Sequence, residues 1–310
     1  REWFGVEPGD KTAWIWGRRD DLPAHTWSAR LVTALKRERW LNAYRVSNEE
    51  MQRFAEMLVE WQPSCLVGYA TSMYLFACYV SDRRITGIRP QAVETTAGTL
   101  WPHERQRIEE TFGCRVFDRY GSHETGHIAA QCEHGQMHVF SDVCHVEVIR
   151  GGRPREGEIG EIVTTPLYSY GMPLIRYCIG DVGVLETYVC ACGRGFPVLR
   201  EVVGRTNSIF TLPGGRYLYG GIFRRILDDI LEIERFQVHQ AARDEIEIVL
   251  KGGDGFNRET IEQVRARATE LFSDEPVNVS ILVTDEILPT ASGKYLVTTS
   301  DVPVGFVGQT

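Results

Sequence analysis

The sequence predicts an α/β protein: an α/β layer carrying a β-rich portion, followed by a small α+β domain. Three observations lead there. Strand-like and helical stretches alternate from Ser47 to Arg119, the texture turns β-rich from Met137, and it changes again after Gly204-Arg205-Thr206-Asn207.

Ser47–Trp61 (SNEEMQRFAEMLVEW) reads as the first clear helix. Ser47 stands at a cap position with Glu50 three residues on, and Met51, Phe54, Met57 and Leu58 recur at helical spacing on one face. Pro63 ends it. Cys65–Tyr69 reads as a strand and a second helix starts at Ser72, whose apolar run Met73–Val80 is too short to span a bilayer and suits a core helix. Gln91–Thr96 and Arg115–Arg119 read as strands around the helix Pro102–Phe112. MHVFSDVCHVEVI (137–149) and EIGEIVTTPL (158–167), with Gly and Pro between them, predict a β-rich subdomain. Beyond it, Phe223–Leu231, Arg235–Ala241, Glu245–Leu250, Thr260–Leu271 and Val277–Val283 mix helix and strand over a small-domain length. The boundary is expected near Asn207, giving domains 1–206 and 207–310.

Composition narrows the function. Of 310 residues, 43% are hydrophobic and 25% charged, which excludes disorder as the main state. A net charge of −8 argues against a general nucleic-acid binder, which needs a basic face. No stretch predicts a membrane span, and Arg1–Asp10 lacks the apolar core of a secretory signal. Eight cysteines, two in a Cys-x-Cys pair, fit a reducing cytoplasm and a metal site better than a disulfide framework. The sequence assigns no oligomeric state.

Four strings carry chemistry. Tyr120–Glu124 (YGSHE) follows a strand, where an open α/β sheet offers loops to ligands: Tyr120 supplies a stacking face, Gly121 a tight turn and Glu124 a hard oxygen donor for Mg²⁺. In Pro173–Asp181 (PLIRYCIGD) a glycine precedes an aspartate at an expected strand end, suited to a ribose diol. Gly204–Asn207 (GRTN) leads into a Gly-rich turn at Pro213–Arg216. Pro289–Lys294 (PTASGK) holds a lysine on a small-residue loop, where it can reach a phosphate or a developing charge.

These strings, with GEIGEIVTTPL (157–167), stand in an order and spacing that resemble the phenylacetate–CoA ligase family of adenylate-forming enzymes, from about Ser64 to the C-terminal end. The resemblance implies that residues 1–206 are the C-terminal portion of the large AMP-binding domain and 207–310 the small mobile domain. It also implies roles residue by residue. Tyr120 would stack on adenine, with Gly98 and Thr99 on the other face of the base, and Gly121 and Ser122 would line the same site. Glu124 would bind Mg²⁺, Asp181 the ribose, and Arg205 would lie near the ribose and phosphates. Lys294 would bridge carboxylate and α-phosphate during adenylation. The implied reaction joins a carboxylic acid to AMP from ATP, releases pyrophosphate and passes the acyl group to a thiol, with an aryl acid and coenzyme A weakly favoured. An amide-forming adenylase or a non-catalytic nucleotide-binding relative is the alternative. The family's usual acidic hinge residue is here Asn207, and its Ser/Thr/Gly-rich phosphate loop has no counterpart, so a preceding piece of roughly a hundred residues is expected to carry that loop.

A separate set predicts structural zinc. Cys132 and His138 (AQCEHGQMHV) with Cys190 and Cys192 (VCACGRG) offer two ligands from each of two β-rich turns, a closed Cys₃His arrangement, with His134 as a rival imidazole. Cys65, Cys78, Cys114, Cys144 and Cys178 are expected to be core residues. His123, Tyr69, Tyr74, Thr95 and Thr96 are minor candidates for a pocket.

Overall fold

The alternation read from the sequence builds a layered α/β unit. The computed structural model describes residues 1–17, 27–43, 47–288 and 296–305. Its elements run β1 (Thr12–Trp16), α1 (Trp27–Leu35), β2 (Glu38–Asn42), α2 (Asn48–Trp61), β3 (Cys65–Tyr69), α3 (Ala70–Asp82), β4 (Ala92–Thr96), α4 (Pro102–Phe112), β5 (Arg115–Ser122), β6 (Gly126–Gln131) and β7 (Met137–Val139). The β-rich stretch follows as β8 (Cys144–Arg150), β9 (Arg153–Pro154), β10 (Gly160–Pro166), β11 (Tyr177–Glu186) and β12 (Val198–Arg205). The remainder is β13 (Ile209–Thr211), β14 (Tyr217–Tyr219), α5 (Gly221–Leu227), β15 (Ile233–Ala242), β16 (Glu245–Gly252), α6 (Arg258–Leu271), β17 (Asn278–Val283) and β18 (Thr298–Ser300).

The chain divides into two compact units. One holds residues 1–146, 164–177 and 186–200, and the other holds 147–163, 178–185 and 201–310.

In the first unit, β2-β1-β3-β4-β5 form a parallel sheet, continued antiparallel by β6 and β7. The strand order reverses between β1 and β3, and such sheets present ligand sites at their carboxyl edge. The capping box at Ser47 is formed: the Ser47 Oγ accepts from the Glu50 N–H (3.2 Å), and the Glu50 carboxylate accepts from the Ser47 N–H (3.0 Å). Phe54 and Leu58 of α2, Met73, Phe76, Ala77 and Val80 of α3, and Ile108 and Phe112 of α4 form one core with Val93 and Val116 of the sheet. Fully burying a side chain such as Phe76 contributes about 2–3 kcal/mol. Helix α3 begins at Ala70, two residues before the expected Ser72.

Two local expectations change. Strand β5 does not stop at Arg119 but continues to Ser122 and turns back into β6, with a bulge between Tyr120 and Gly121. Gly180 and Asp181 lie inside β11 rather than at a strand end, with Gly180 at φ +76°.

In the second unit, β17-β16-β15-β18 make a four-stranded sheet with α5 and α6. The alternation EIEIVL buries Ile246, Ile248 and Leu250 against Phe223, Val264, Ala268 and Phe272. Helix α6 is capped by Asn257, whose side chain accepts from the N–H groups of Glu259 (2.7 Å) and Thr260 (3.3 Å). The strands β12-β11-β10-β8-β9 are neighbours in that order. Among the described residues, no helix is long and apolar enough to cross a membrane.

Candidate active site and metal centre

At the carboxyl edge of the first unit's sheet, two adjacent parallel strands end in candidate residues. Strand β4 runs out through Ala97, at φ +59°, into the exposed Gly98 and Thr99. Next to it, β5 carries the half-buried Tyr120, then Gly121 and Ser122. A Cβ at Gly121 would lie 2.5 Å from the Gly126 carbonyl oxygen, so only glycine permits this close hairpin. The Ser122 hydroxyl meets the Thr125 hydroxyl at 3.0 Å and accepts from the Thr125 N–H at 3.1 Å, which ties the turn bearing Glu124. Glu124 and His123 are exposed on that turn.

Beneath this edge lie charged groups that the motifs do not mark. The Thr95 hydroxyl donates to the Asp118 carboxylate at 2.9 Å. Burial pushes the Asp118 carboxyl up to about 6, against the lowering effects of that bond and of Arg105 and Arg119. Glu94, 4% exposed, is ion-paired with Arg119 (2.6 Å) and Arg1 (2.7 Å). A glutamate in the middle of the short strand AVETT was the available sequence signal. Tyr69 packs on Trp16 with ring centroids 4.5 Å apart, and Thr96 is buried.

In the second unit, Asp181 meets Arg205. The guanidinium Nε lies 3.1 Å from the Asp181 carboxylate, and another nitrogen of the same group donates to the Ile179 carbonyl at 2.9 Å. What favours glycine at position 180 is its φ of +76°, since a Cβ there would meet that guanidinium only at ordinary contact distance, 3.4 Å. The carboxylate is 14% exposed and the arginine 61%, so the pair presents charge at a surface. Asn207 lies in the short 3₁₀ turn Thr206–Ser208 just after β12. Lys294 and the rest of Pro289–Tyr295 lie outside the described residues.

Cys132, His138, Cys190 and Cys192 converge in the first unit, with their ligand atoms all within 4.8 Å of one another. The Cys132 and Cys190 sulfurs are 3.9 Å apart, and the Cys192 sulfur lies 3.3 Å from His138 Nε2. Ligands of a tetrahedral zinc stand about 3.8 Å apart for two thiolates and about 3.5 Å for thiolate and imidazole, so the set has the dimensions of that ion. A disulfide needs sulfurs at about 2.05 Å, and all eight cysteines are free. His138 is fully buried, and its Nδ1 sits 3.1 Å from the Phe196 carbonyl, a contact that places the proton on Nδ1 and leaves Nε2 to face the sulfurs. The rival His134 is exposed and outside the cluster, although its backbone N–H donates to the Cys132 sulfur at 3.4 Å. Of the other cysteines, Cys65 and Cys144 are buried and Cys78, Cys114 and Cys178 half-buried. Burial pushes the Cys65 and Cys114 thiols up to about 12, which keeps them protonated.

No family model matches the chain. It is similar to the phenylacetate-coenzyme A ligase of Thermus thermophilus, 26% identical over 251 residues that cover 75% of this chain and 53% of that protein. It is also similar to Protein CapK of Staphylococcus aureus, 29% identical over 172 residues, 54% of this chain and 37% of that protein. The chain therefore spans about half the length, or less, of these curated relatives. Among solved structures, 2-hydroxyisobutyryl-CoA ligase in the postadenylation state with R3-HIB-AMP matches with a TM-score of 0.70 at 19% identity, over 97% of this chain and 67% of that one. ATP-bound MatB from Rhodopseudomonas palustris matches with a TM-score of 0.64 at 13% identity, over 96% of this chain and 60% of that one. At such identities the structures establish the fold. The chain shares the fold of these CoA ligases and is similar in sequence to phenylacetate-coenzyme A ligase over three quarters of its length.

Proposed function

We propose that the intact protein activates a carboxylic acid with ATP and passes the acyl group to a thiol, with coenzyme A as acceptor and an aryl acid as the favoured substrate class. The observation that carries this reading is the likeness to phenylacetate-coenzyme A ligase across 75% of the chain; the order of Tyr120, Glu124, Asp181 and Arg205 in the sequence, which resembles that of the family, supports it. An acid oxygen attacks the α-phosphorus of ATP and the bond to pyrophosphate breaks. The thiol sulfur then attacks the acyl carbonyl and AMP leaves.

Each residue has a task in this scheme. Tyr120, with Gly98 and Thr99, holds adenine; Gly121 and Ser122 shape the same edge. Asp181 accepts from the ribose hydroxyls while Arg205 holds that carboxylate in place. Lys294 stabilises the negative charge that grows between acid and α-phosphate, where a fixed cation in a water-poor site is most effective. Glu124 would hold Mg²⁺, which neutralises phosphate charge when bound. Cys132, His138, Cys190 and Cys192 would hold a structural Zn²⁺, since four protein ligands leave no open position for chemistry. Residues 207–310 would act as the small domain that turns about Asn207 between the two steps, in a cytoplasmic enzyme. The test is pyrophosphate exchange into ATP by the full-length protein over a panel of aryl and aliphatic acids. Exchange driven by one class of acid is expected; none with any acid sinks the proposal.

A further inference from the structure

Gln240 stands out among buried polar groups of the second unit. It is fully buried in β15, and its side chain makes four hydrogen bonds. Oε1 accepts from the Thr211 N–H at 3.1 Å and from the Ser300 hydroxyl at 2.7 Å, while Nε2 donates to the carbonyls of Thr211 at 3.0 Å and Arg243 at 3.3 Å. A glutamine has two donors and two acceptor lone pairs, so its capacity is filled. Two of the bonds embrace both backbone polar groups of Thr211, so that the amide substitutes for a neighbouring strand beside β13.

The places it joins give this arrangement meaning. Thr211 lies four residues after Asn207, and Ser300 six residues after Lys294. The same two segments are linked again by the Ser208 hydroxyl donating to the Thr298 carbonyl (3.3 Å) and the Thr211 hydroxyl donating to the Pro303 carbonyl (3.4 Å). Register is set by β18 pairing parallel with β15, Gln240 opposite Ser300, and by the Asp301 N–H donating to the Gln240 carbonyl at 2.9 Å. Gly220 fits under Thr298, where a Cβ would come within 2.3 Å of its hydroxyl.

We infer that Gln240 is a positioning residue: it fastens the chain leaving the hinge to β18, the strand that follows Lys294 in sequence, so that a turn at Asn207 carries β18 with it. The catalytic part of this inference rests on the function proposed above. The mechanical part does not, because the bonds exist whatever the reaction.

The test compares full-length wild type with Gln240→Met, which keeps the side-chain length but offers no amide, and with Ser300→Ala, which removes one of the four bonds. In Gln240→Met, amide hydrogen exchange in 208–212 and 298–302 is expected to quicken by about tenfold or more, while α6 and β16 keep wild-type protection. Ser300→Ala should shift the same segments less and secures the test if Gln240→Met does not fold. In pyrophosphate exchange, kcat is expected to fall about tenfold in Gln240→Met with the KM for ATP nearly unchanged, and thioester formation from preformed acyl-adenylate should fall far less. Unchanged exchange in both segments, or equal loss of both half-reactions with uniform loss of protection, overturns the inference. A wild type without pyrophosphate exchange overturns the functional reading and the catalytic part together, and the exchange pattern then decides the mechanical part alone.

Discussion

Asp118 shows how far a single residue's chemistry departs from its sequence appearance. Its neighbours in RVFDRYG suggest an ordinary strand aspartate, yet burial holds its carboxyl at about 6. A carboxyl raised in the folded state supports the fold fully below its unfolded value, and that support is lost as pH rises through about 6. Raising the carboxyl from 3.8 to about 6 corresponds to about 3 kcal/mol. Asp118→Asn, which keeps an acceptor for the Thr95 hydroxyl, is expected to flatten this part of the stability profile. Urea unfolding of both proteins at about pH 4 and pH 7 checks it: the variant should gain on wild type at the higher pH. Gly121 is the second case. A tight turn at Gly121 was legible in YGSHE, but the close approach of the Gly126 carbonyl that demands glycine there was not. Gly121→Ala should cost on the order of 1–3 kcal/mol in thermal unfolding and weaken AMP binding in calorimetry, because the hairpin must open beneath Tyr120.

At the scale of elements, helices and strands were largely legible because their signals are local. Ser47 and Glu50 name the start of α2, and the periodicity of EIEIVL names the buried face of β16. What local signals could not say was how far β5 runs, since pairing with β6 extends it past Arg119. The cysteine–histidine cluster belongs to this scale, because β7 and the turns around Cys132 and Cys190 must assemble to bring its members together. Its expected content is one zinc per chain by elemental analysis of protein purified without chelator. Cys132→Ser should lose the metal and lower the midpoint of thermal unfolding by at least about 4 °C, since binding energy of a structural ion is folding energy. A metal-free wild type with an unchanged variant midpoint would dismiss the site.

At the scale of the whole molecule, the proposed adenylation demands groups that lie far apart in sequence. If the protein has the proposed function, Lys294→Ala in the full-length protein is expected to reduce pyrophosphate exchange by about a hundredfold or more while AMP affinity changes little, because in that scheme the lysine acts on charge present only in the transition state. Equal loss of binding and exchange would assign Lys294 to nucleotide anchoring instead. By itself, the sequence determined the α/β class, most element positions, the order of the motifs and the four members of the cysteine–histidine set, all of which are written in neighbouring residues or in residue type. Only the tertiary structure decided that Asp181 sits within β11 against Arg205, that Gln240 joins β13 to β18, and that residues 147–163 and 178–185 group with 201–310. These depend on which strands pair across long stretches of chain, and that choice is made by packing and hydrogen bonding between segments whose local patterns do not name their partners.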